Sequence, residues 1–193
     1  MLRMKKKKQI YETATALFKR YGFDRVSIEE ICSKADVSKM TFYKYFSNKK
    51  TLIKYIITEL IDRSDQEYDA ILSSNVSFDQ KVRLLIEKKI KDTDITGQDF
   101  LRDYLQNKDP ELRTFIEGRV KQMMFKVNRD FIEAQLAGNV RPDTKTEFLL
   151  YLMNHFIDMS KDETLISMYD TPQQLAVELI NFYFYGILER PRK

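Results

Sequence analysis

Residues 27–52 read SIEEICSKADVSKMTFYKYFSNKKTL, and this stretch carries the clearest structural signal in the chain. Ser27 and Glu30 have the spacing of a capping box, in which the serine hydroxyl and the carboxylate each satisfy a free backbone N–H group. Ser38 is a suitable N-cap for a second short helix, which we expect to run through Phe46. Two short helices separated by a turn of this length predict a helix-turn-helix.

Helical patterns continue on both sides of this stretch. Apolar residues between Ile10 and Tyr21 recur every three or four positions, and Gly22 follows where a left-handed C-terminal cap would lie. After Ser47-Asn48, apolar spacing persists without a helix breaker as far as Ser73. These patterns predict one helix before the helix-turn-helix and one long helix after it.

The remainder of the chain has the same periodicity, with only 5 Gly and 4 Pro in 193 residues. Ser77 with Gln80 forms another capping box, and Asp109-Pro110 places a capping carboxylate before a proline at the first helical position. We therefore expect an all-α fold of about nine helices, with a polar loop at residues 92–97. The predicted helices beyond residue 73 span 77–91, 98–106, 110–136, 143–161 and 171–188.

The charge is distributed unevenly along the chain. Residues 1–50 contain 13 Lys and Arg against 5 Asp and Glu, although the whole chain has a net charge of only +4. Local patches determine which partners a protein attracts, so the N-terminal quarter is expected to face a polyanion. Lys5–Lys8, with Arg3, are either a solvated tail or a disordered arm that adds sequence-independent affinity for DNA.

Several classes of site are disfavoured by composition. No window approaches the apolar length of a membrane span, and no secretory segment follows the basic start, so we expect a cytoplasmic protein without membrane partners. The single cysteine, Cys32, excludes an internal disulfide and is expected to be a small buried hydrophobic residue. His155 has no second His or Cys nearby, which favours a core or interface histidine over a metal ligand. We expect no metal and no cofactor.

Residues 5–60 resemble the DNA-binding domain of the TetR family of transcriptional regulators. The resemblance extends over about a third of the chain and includes the Ser-capped second helix and the turn around it. Its other matching positions are Ala35, Val37, Ser38, Thr41-Phe42-Tyr43, Tyr45-Phe46, Lys49 and Leu52. The resemblance implies a DNA-binding domain over residues 1–50 and a helical effector-binding and dimerisation domain over residues 51–193.

Two residues depart from the family pattern. Asp36 occupies a turn position where the family usually has glycine, and aspartate tolerates a left-handed backbone better than most residues. Met40 stands where the family often has a small residue, at the start of the presumed recognition helix. Its side chain could contact a thymine methyl group or simply crowd the groove.

The predicted DNA contacts are Ser27, Ser38, Lys39, Met40, Thr41, Tyr43, Lys44, Tyr45 and Lys49. We expect the Lys39–Thr41 segment and Lys44 to face the major groove, where side chains at the N-terminal end of a recognition helix reach base edges. Ser27, Tyr43 and Lys49 would contact phosphates, and the resemblance supports Tyr43 and Lys49 in that role. Phe42 and Phe46 would be core residues, and the role of Tyr45 is left open.

The last two predicted helices are apolar over much of their circumference, which favours a homodimer in which they form a four-helix bundle with their copies. The resemblance also implies a cavity for a small molecule, which we expect to be apolar. The candidate pocket residues are Phe100, Tyr104, Phe115, Met123, Met124, Phe131 and Phe156, and their spacing also fits an ordinary core.

These features predict a ligand-responsive repressor that binds a palindromic DNA operator as a dimer. A helical adaptor that has lost specific DNA binding is the main alternative, because Asp36 and Met40 depart from the pattern. An enzyme is disfavoured, since the chain has one His, one Cys and no glycine-rich phosphate loop.

Overall fold

The structure is a computed structural model that describes residues 2–160 and 162–187. Within these ranges the regular elements are all helices, which confirms the predicted all-α class, and there are ten helices rather than about nine. They are α1 Leu2–Tyr21, α2 Ile28–Lys34, α3 Lys39–Tyr45, α4 Lys49–Ser73, α5 Phe78–Thr96, α6 Gln98–Leu105, α7 Pro110–Leu136, α8 Thr146–Met159, α9 Glu163–Ile166 and α10 Pro172–Ile187.

The chain packs as two compact units. The first contains residues up to Ala70 together with Thr93–Arg113, and the second contains Ile71–Asp92 and the residues from Thr114 onward. Helix α6 and the first turn of α7 therefore pack with the helix-turn-helix, although they lie far from it in sequence. The predicted boundary between a DNA-binding domain (residues 1–50) and an effector-binding domain (residues 51–193) stays a prediction, since it rests on charge and sequence motif and not on packing.

The first unit has a core that all of its long helices share. Its fully buried side chains include Ile10, Phe18, Phe23, Ile31, Phe42, Phe46, Leu52 and Ile56. Helix α6 joins this core through Phe100, whose ring meets that of Phe23 edge to face with centroids 5.6 Å apart. The start of α6 also lies close to the end of α1. The approach is so close that a Cβ atom on Gly97 would overlap the Lys19 carbonyl oxygen.

The second unit is built around an aromatic cluster. Phe131, Leu149 and Tyr183 are buried there, and Phe156 packs against them. The Tyr183 hydroxyl donates a hydrogen bond of 3.3 Å to the Leu149 carbonyl, which ties α10 to α8. Burial raises the pKa of Tyr183 well above its ordinary value, so the ring stays neutral.

The predicted capping signals beyond the helix-turn-helix are confirmed. Ser77 and Gln80 exchange hydrogen bonds of 3.2 and 3.3 Å, with each side chain accepting from the other's backbone N–H. The Asp109 carboxylate accepts from the N–H groups of Glu111 and Leu112 at 2.9 and 3.0 Å. These caps fix the starts of α5 and α7.

The structure corrects three predicted boundaries. Helix α5 continues through Thr96, so the predicted loop at residues 92–97 is wrong for its first five residues; the stop comes at Gly97, which has a φ of +85°. Helix α8 begins at Thr146 rather than near Asp143 and ends at Met159. The short helix α9 was not predicted, and Asp162 caps it by accepting from the N–H groups of Thr164 and Leu165. Lys161 and Leu188, the predicted last residues of two helices, lie outside the described residues.

In the described part of the chain, none of the helices combines the length and the apolar character that crossing a bilayer requires.

Candidate nucleic-acid interface

The helix-turn-helix is held together by side-chain caps at both of its helices. The Ser27 hydroxyl accepts from the N–H of Glu30 at 3.1 Å, and the Ser38 hydroxyl accepts from the N–H of Thr41 at the same distance. Between the two helices, Asp36 has a φ of 49°, the left-handed conformation that the family's glycine would adopt easily. The departure at Asp36 therefore leaves the turn intact.

Helix α3 has a buried face and an exposed face. Phe42 is fully buried, and Phe46, immediately after the helix, is 2% exposed, which confirms their predicted place in the core. On the other face, the Met40 side chain is 85% exposed, that of Tyr43 is 52% exposed, and Lys44 is also exposed. An apolar side chain as exposed as Met40 contributes little to stability, so it is available to a binding partner.

Lys39 stands at the start of the exposed face and forms an ion pair with Glu29 in the first turn of α2. Both side chains are more than half exposed. The hydrogen bond between them raises the pKa of Lys39 and lowers the pKa of Glu29. The ion pair links the first turn of α2 to the first turn of α3. It lies beside the exposed face of α3 that carries Met40 and Tyr43.

Two predicted site residues are less accessible than their neighbours. Thr41 is half-buried, and its hydroxyl lies 3.0 Å from that of Ser38, so both hydroxyls contribute to the cap of α3. Tyr45 is also half-buried. Their contact with DNA stays a prediction.

Lys49, a predicted phosphate contact, is half-buried and bonded to backbone within the protein. Its ammonium group donates to the carbonyl oxygens of Phe23, Asp24 and Val26 at 2.8, 3.2 and 2.9 Å. These three acceptors use the three N–H bonds of the ammonium group. The pKa of Lys49 is lowered, because the effect of burial outweighs the opposing effect of the Asp24 and Asp103 carboxylates. Lys49 therefore supports the α1–α2 loop, and its contact with phosphate stays a prediction.

Asp103 holds the same loop from α6 and is absent from the predicted site. Its carboxylate accepts a hydrogen bond of 3.1 Å from the backbone N–H of Asp24, and the residue is buried. The loop leads directly to Ser27 at the start of α2. Only the fold brings position 103 beside position 24, so a local sequence pattern could not have identified Asp103.

The N-terminal lysines belong to a helix, which corrects the prediction of a tail or a disordered arm. Helix α1 begins at Leu2, and Lys5–Lys8 lie in its first turns. Lys6 donates to the carbonyl of Asp36 at 3.1 Å, and the Lys7 ammonium lies 3.9 Å from the centroid of the Tyr55 ring. Lys5 and Lys8 are exposed, and Lys8 forms an ion pair with Glu12 at 3.6 Å.

The predicted pocket residues are divided between the two units. Phe100 and Tyr104 lie in α6 and belong to the first unit, where their rings stack with centroids 6.5 Å apart. The others belong to the second unit, where Phe131 is a core residue and Phe156 packs against the same cluster. Phe115 and Met123 are half-buried and Met124 is buried. The pocket assignment of all seven residues stays a prediction.

Helices α8 and α10 carry large exposed apolar side chains. Phe148 and Tyr151 on α8 and Phe182 on α10 are 55%, 63% and 71% exposed. His155 is exposed one turn after Tyr151, and the centroids of the two rings are 4.3 Å apart. Cys32, in contrast, is buried in the first unit as predicted, and burial raises its pKa.

Residues 10–56 match the family described as bacterial regulatory proteins, tetR family. This match covers α1 from Ile10 onward, all of α2 and α3, and the first turns of α4. Over nearly its full length the chain is also similar to YdgC of Bacillus subtilis (strain 168), an uncharacterized HTH-type transcriptional regulator. The two are 23% identical in an alignment of 193 positions that covers 95% of this chain and 93% of YdgC.

Solved structures share the fold across both units. The fatty acid degradation regulator FadR from Bacillus halodurans aligns with a TM-score of 0.71 and 18% identity, covering 96% of this chain and 97% of that one. A transcriptional regulator from Saccharomonospora viridis in complex with choline aligns with a TM-score of 0.73 and 18% identity, covering 97% of this chain and all of the other.

Proposed function

This chain is a DNA-binding transcriptional regulator of the TetR family, and from that premise we propose that it is a ligand-responsive repressor that binds a palindromic operator as a homodimer. A regulator of this kind meets its operator in the cytoplasm, so we expect the protein to be cytoplasmic. We also expect it to have no enzymatic activity.

The observation that carries the proposal is the exposed face of α3. Met40, Tyr43 and Lys44 project from a helix whose opposite face is anchored by Phe42 and Phe46. A rigid helix that presents basic, aromatic and apolar side chains suits the major groove, where base edges offer acceptors and thymine offers a methyl group. We assign Met40 and Lys44 to base edges, together with Lys39 and Thr41.

Phosphate contacts would come from the residues that flank this face. Tyr43 combines an exposed hydroxyl with a ring braced edge to face against Phe42, with centroids 5.5 Å apart. Ser27 is exposed at the N-terminal end of α2, where free N–H groups favour an anion. We assign these two residues to phosphates and give Lys49 a supporting role.

Dimerisation through α8 and α10 supports this function. One helix-turn-helix covers too little DNA for tight specific binding, and a palindrome requires two reading heads about 34–36 Å apart. Phe148, Tyr151 and Phe182 would be covered by the same surface of a second copy, since an isologous interface pairs one patch with itself.

Sensing of a small molecule is the second part of the proposal. The S. viridis structure contains choline, so a body with this fold can hold a small ligand. We place the effector in the second unit, near the half-buried Phe115 and Met123, and expect it to be mainly apolar. Such a ligand changes DNA affinity only if it binds two states of the protein unequally.

The test is a selection from random duplex DNA with the purified protein, followed by binding to the enriched sequence over a range of salt concentrations. We expect a palindromic consensus, with affinity that falls steeply as salt rises. Tyr43→Phe would lower affinity for every sequence, whereas Met40→Ala would change the preferred base at one position in each half-site.

A helical adaptor would give a different result, because it would enrich no consensus and would bind DNA only weakly and without preference. Tyr21→Phe is a matched control for Tyr43→Phe, since it removes the same hydroxyl from an exposed tyrosine at the end of α1, outside the assigned interface. Equal effects of the two substitutions on DNA affinity would contradict the assigned interface.

A further inference from the structure

Two adjacent lysines attach the first turns of α1 to the α2–α3 turn and to α4. The Lys6 ammonium donates to the backbone carbonyl of Asp36 in the α2–α3 turn at 3.1 Å. The Lys7 ammonium lies over the ring of Tyr55, 3.9 Å from its centroid, and Tyr55 in turn packs against Phe46 with centroids 5.6 Å apart. Lys5 is exposed on the same turn.

The carbonyl that Lys6 contacts lies at a critical point of the motif. Asp36 is the only residue other than glycine with a positive φ in the described ranges 2–160 and 162–187. It follows the C-terminal end of α2, where carbonyl groups lack helical partners and a positive charge is favourable. The conformation of this turn determines the angle between α2 and α3, and therefore where Met40 lies relative to Ser27.

We propose that Lys6 is a positioning residue for operator recognition: by holding the Asp36 carbonyl, it fixes the turn and thereby sets α3 against α2. The proposal rests on the proposed function and adds a residue that does not itself touch DNA. A lysine that acts only through its charge would strengthen binding to all DNA equally. A lysine that positions α3 would strengthen binding to the operator alone, because unrelated DNA needs no exact register.

The experiment compares Lys6→Met, Lys6→Arg and the control Lys5→Met in the full chain. Affinity is measured for the selected operator and for an unrelated duplex of equal length. We expect Lys6→Met and Lys5→Met to weaken binding to the unrelated duplex by the same small factor. Lys6→Met would weaken operator binding by about a further five-fold, the usual effect of losing one exposed charge-assisted hydrogen bond. Lys6→Arg would restore operator affinity, because its guanidinium can also donate to the carbonyl.

A second measurement does not require DNA. The backbone N–H of Val37 donates to the Cys32 carbonyl at 3.0 Å, so its hydrogen exchange reports opening of the turn. We expect this exchange to be faster in Lys6→Met than in Lys5→Met or the wild type.

Equal operator-to-unrelated affinity ratios in Lys6→Met and Lys5→Met would overturn the proposal. If the wild-type protein selects no operator, the proposed function fails, and the exchange rates alone then decide whether Lys6 holds the turn. Unchanged exchange in Lys6→Met would show that it does not.

Discussion

The Lys39 ammonium group on the exposed face of α3 is paired with the Glu29 carboxylate in the first turn of α2. An exposed pair of this kind adds little to stability, because water and salt screen it. It does reduce the positive charge available at the surface that we assign to DNA. A base edge that approaches Lys39 must therefore compete with Glu29.

Glu29→Gln should increase affinity for duplex DNA. Removal of the carboxylate releases Lys39, and we expect a gain of about three-fold for an unrelated duplex at low salt, falling as salt rises. Glu30→Gln is the matched control, since it changes the same charge one residue away. Equal gains from the two substitutions would mean that net charge, rather than the Lys39 pair, limits binding.

Lys49→Met should destabilise the first unit. It removes the hydrogen bonds that Lys49 donates to the carbonyls of Phe23, Asp24 and Val26. The bonds to Phe23 and Val26 are part-buried, so water replaces them less well. We expect the free energy of unfolding to fall by about 2 kcal/mol, measured by urea titration. Lys44→Met, on the exposed face of α3, should change it by less than about 0.5 kcal/mol. A similar small effect at Lys49 would contradict its supporting role.

Gly97→Ala should be far more harmful than Gly118→Ala. At Gly97 the added Cβ would overlap the backbone carbonyl of Lys19, and the φ of +85° is strained for any L-residue. We expect a loss of more than about 2 kcal/mol in unfolding free energy. Gly118 lies within α7 with open space around it, so alanine there should raise stability by up to about 1 kcal/mol. Thermal unfolding of both variants tests this contrast.

Lys50 should make stability depend on pH in the acid range. Its ammonium lies 2.8 Å from carboxylate oxygens of both Asp109 and Glu111 and lowers the pKa of each below the ordinary 3.8 and 4.5. Lowered carboxylate pKa values contribute stability that is present above the ordinary values and is lost as pH falls through the lowered ones. In Lys50→Met both pKa values should rise towards the ordinary range, as followed by NMR titration of the carboxyl carbons.

The stability difference between the wild type and Lys50→Met should therefore shrink as the pH falls from 6 towards 2. A difference that stays constant over this interval would show that the two carboxylates do not depend on Lys50.

Phe182→Asp should convert the proposed dimer to a monomer. Phe182 is 71% exposed on α10, and a charge there would be buried without a partner in a bundle of α8 and α10 with their copies. Phe125→Asp is the control, because Phe125 is 77% exposed but lies on α7. Sedimentation velocity should give a monomer for the first variant and a dimer for the second. The reverse result would place the interface on α7.

Local sequence patterns were sufficient for most of the helices and for four of their capped starts. The caps at Ser27, Ser38, Ser77 and Asp109 depend on side chains within three residues of the backbone they bind, so a short stretch of sequence contains the whole interaction. The buried and exposed faces of α3 could be predicted for the same reason, since helical periodicity alone separates Phe42 from Met40.

Contacts between distant residues could not be predicted from local patterns. The type and position of Lys49 indicate a phosphate contact, and only the folded loop at Phe23–Val26 shows that its ammonium group is occupied. Phe100 resembles a pocket residue until its ring is found against Phe23, 77 positions earlier. The N-terminal lysines have no apolar periodicity of their own, and only the fold shows that Lys6 and Lys7 have partners in the α2–α3 turn and on α4.

The two faces of α3 have a consequence for how such a protein can evolve. Because Phe42 and Phe46 carry the stability of the segment, residues 40 and 44 can change without threatening the fold. A gene duplicate could therefore acquire a new set of target promoters through one or two substitutions, while its stability and partner helices stay as they were. Regulatory circuits built from this scaffold can diverge faster than the scaffold itself.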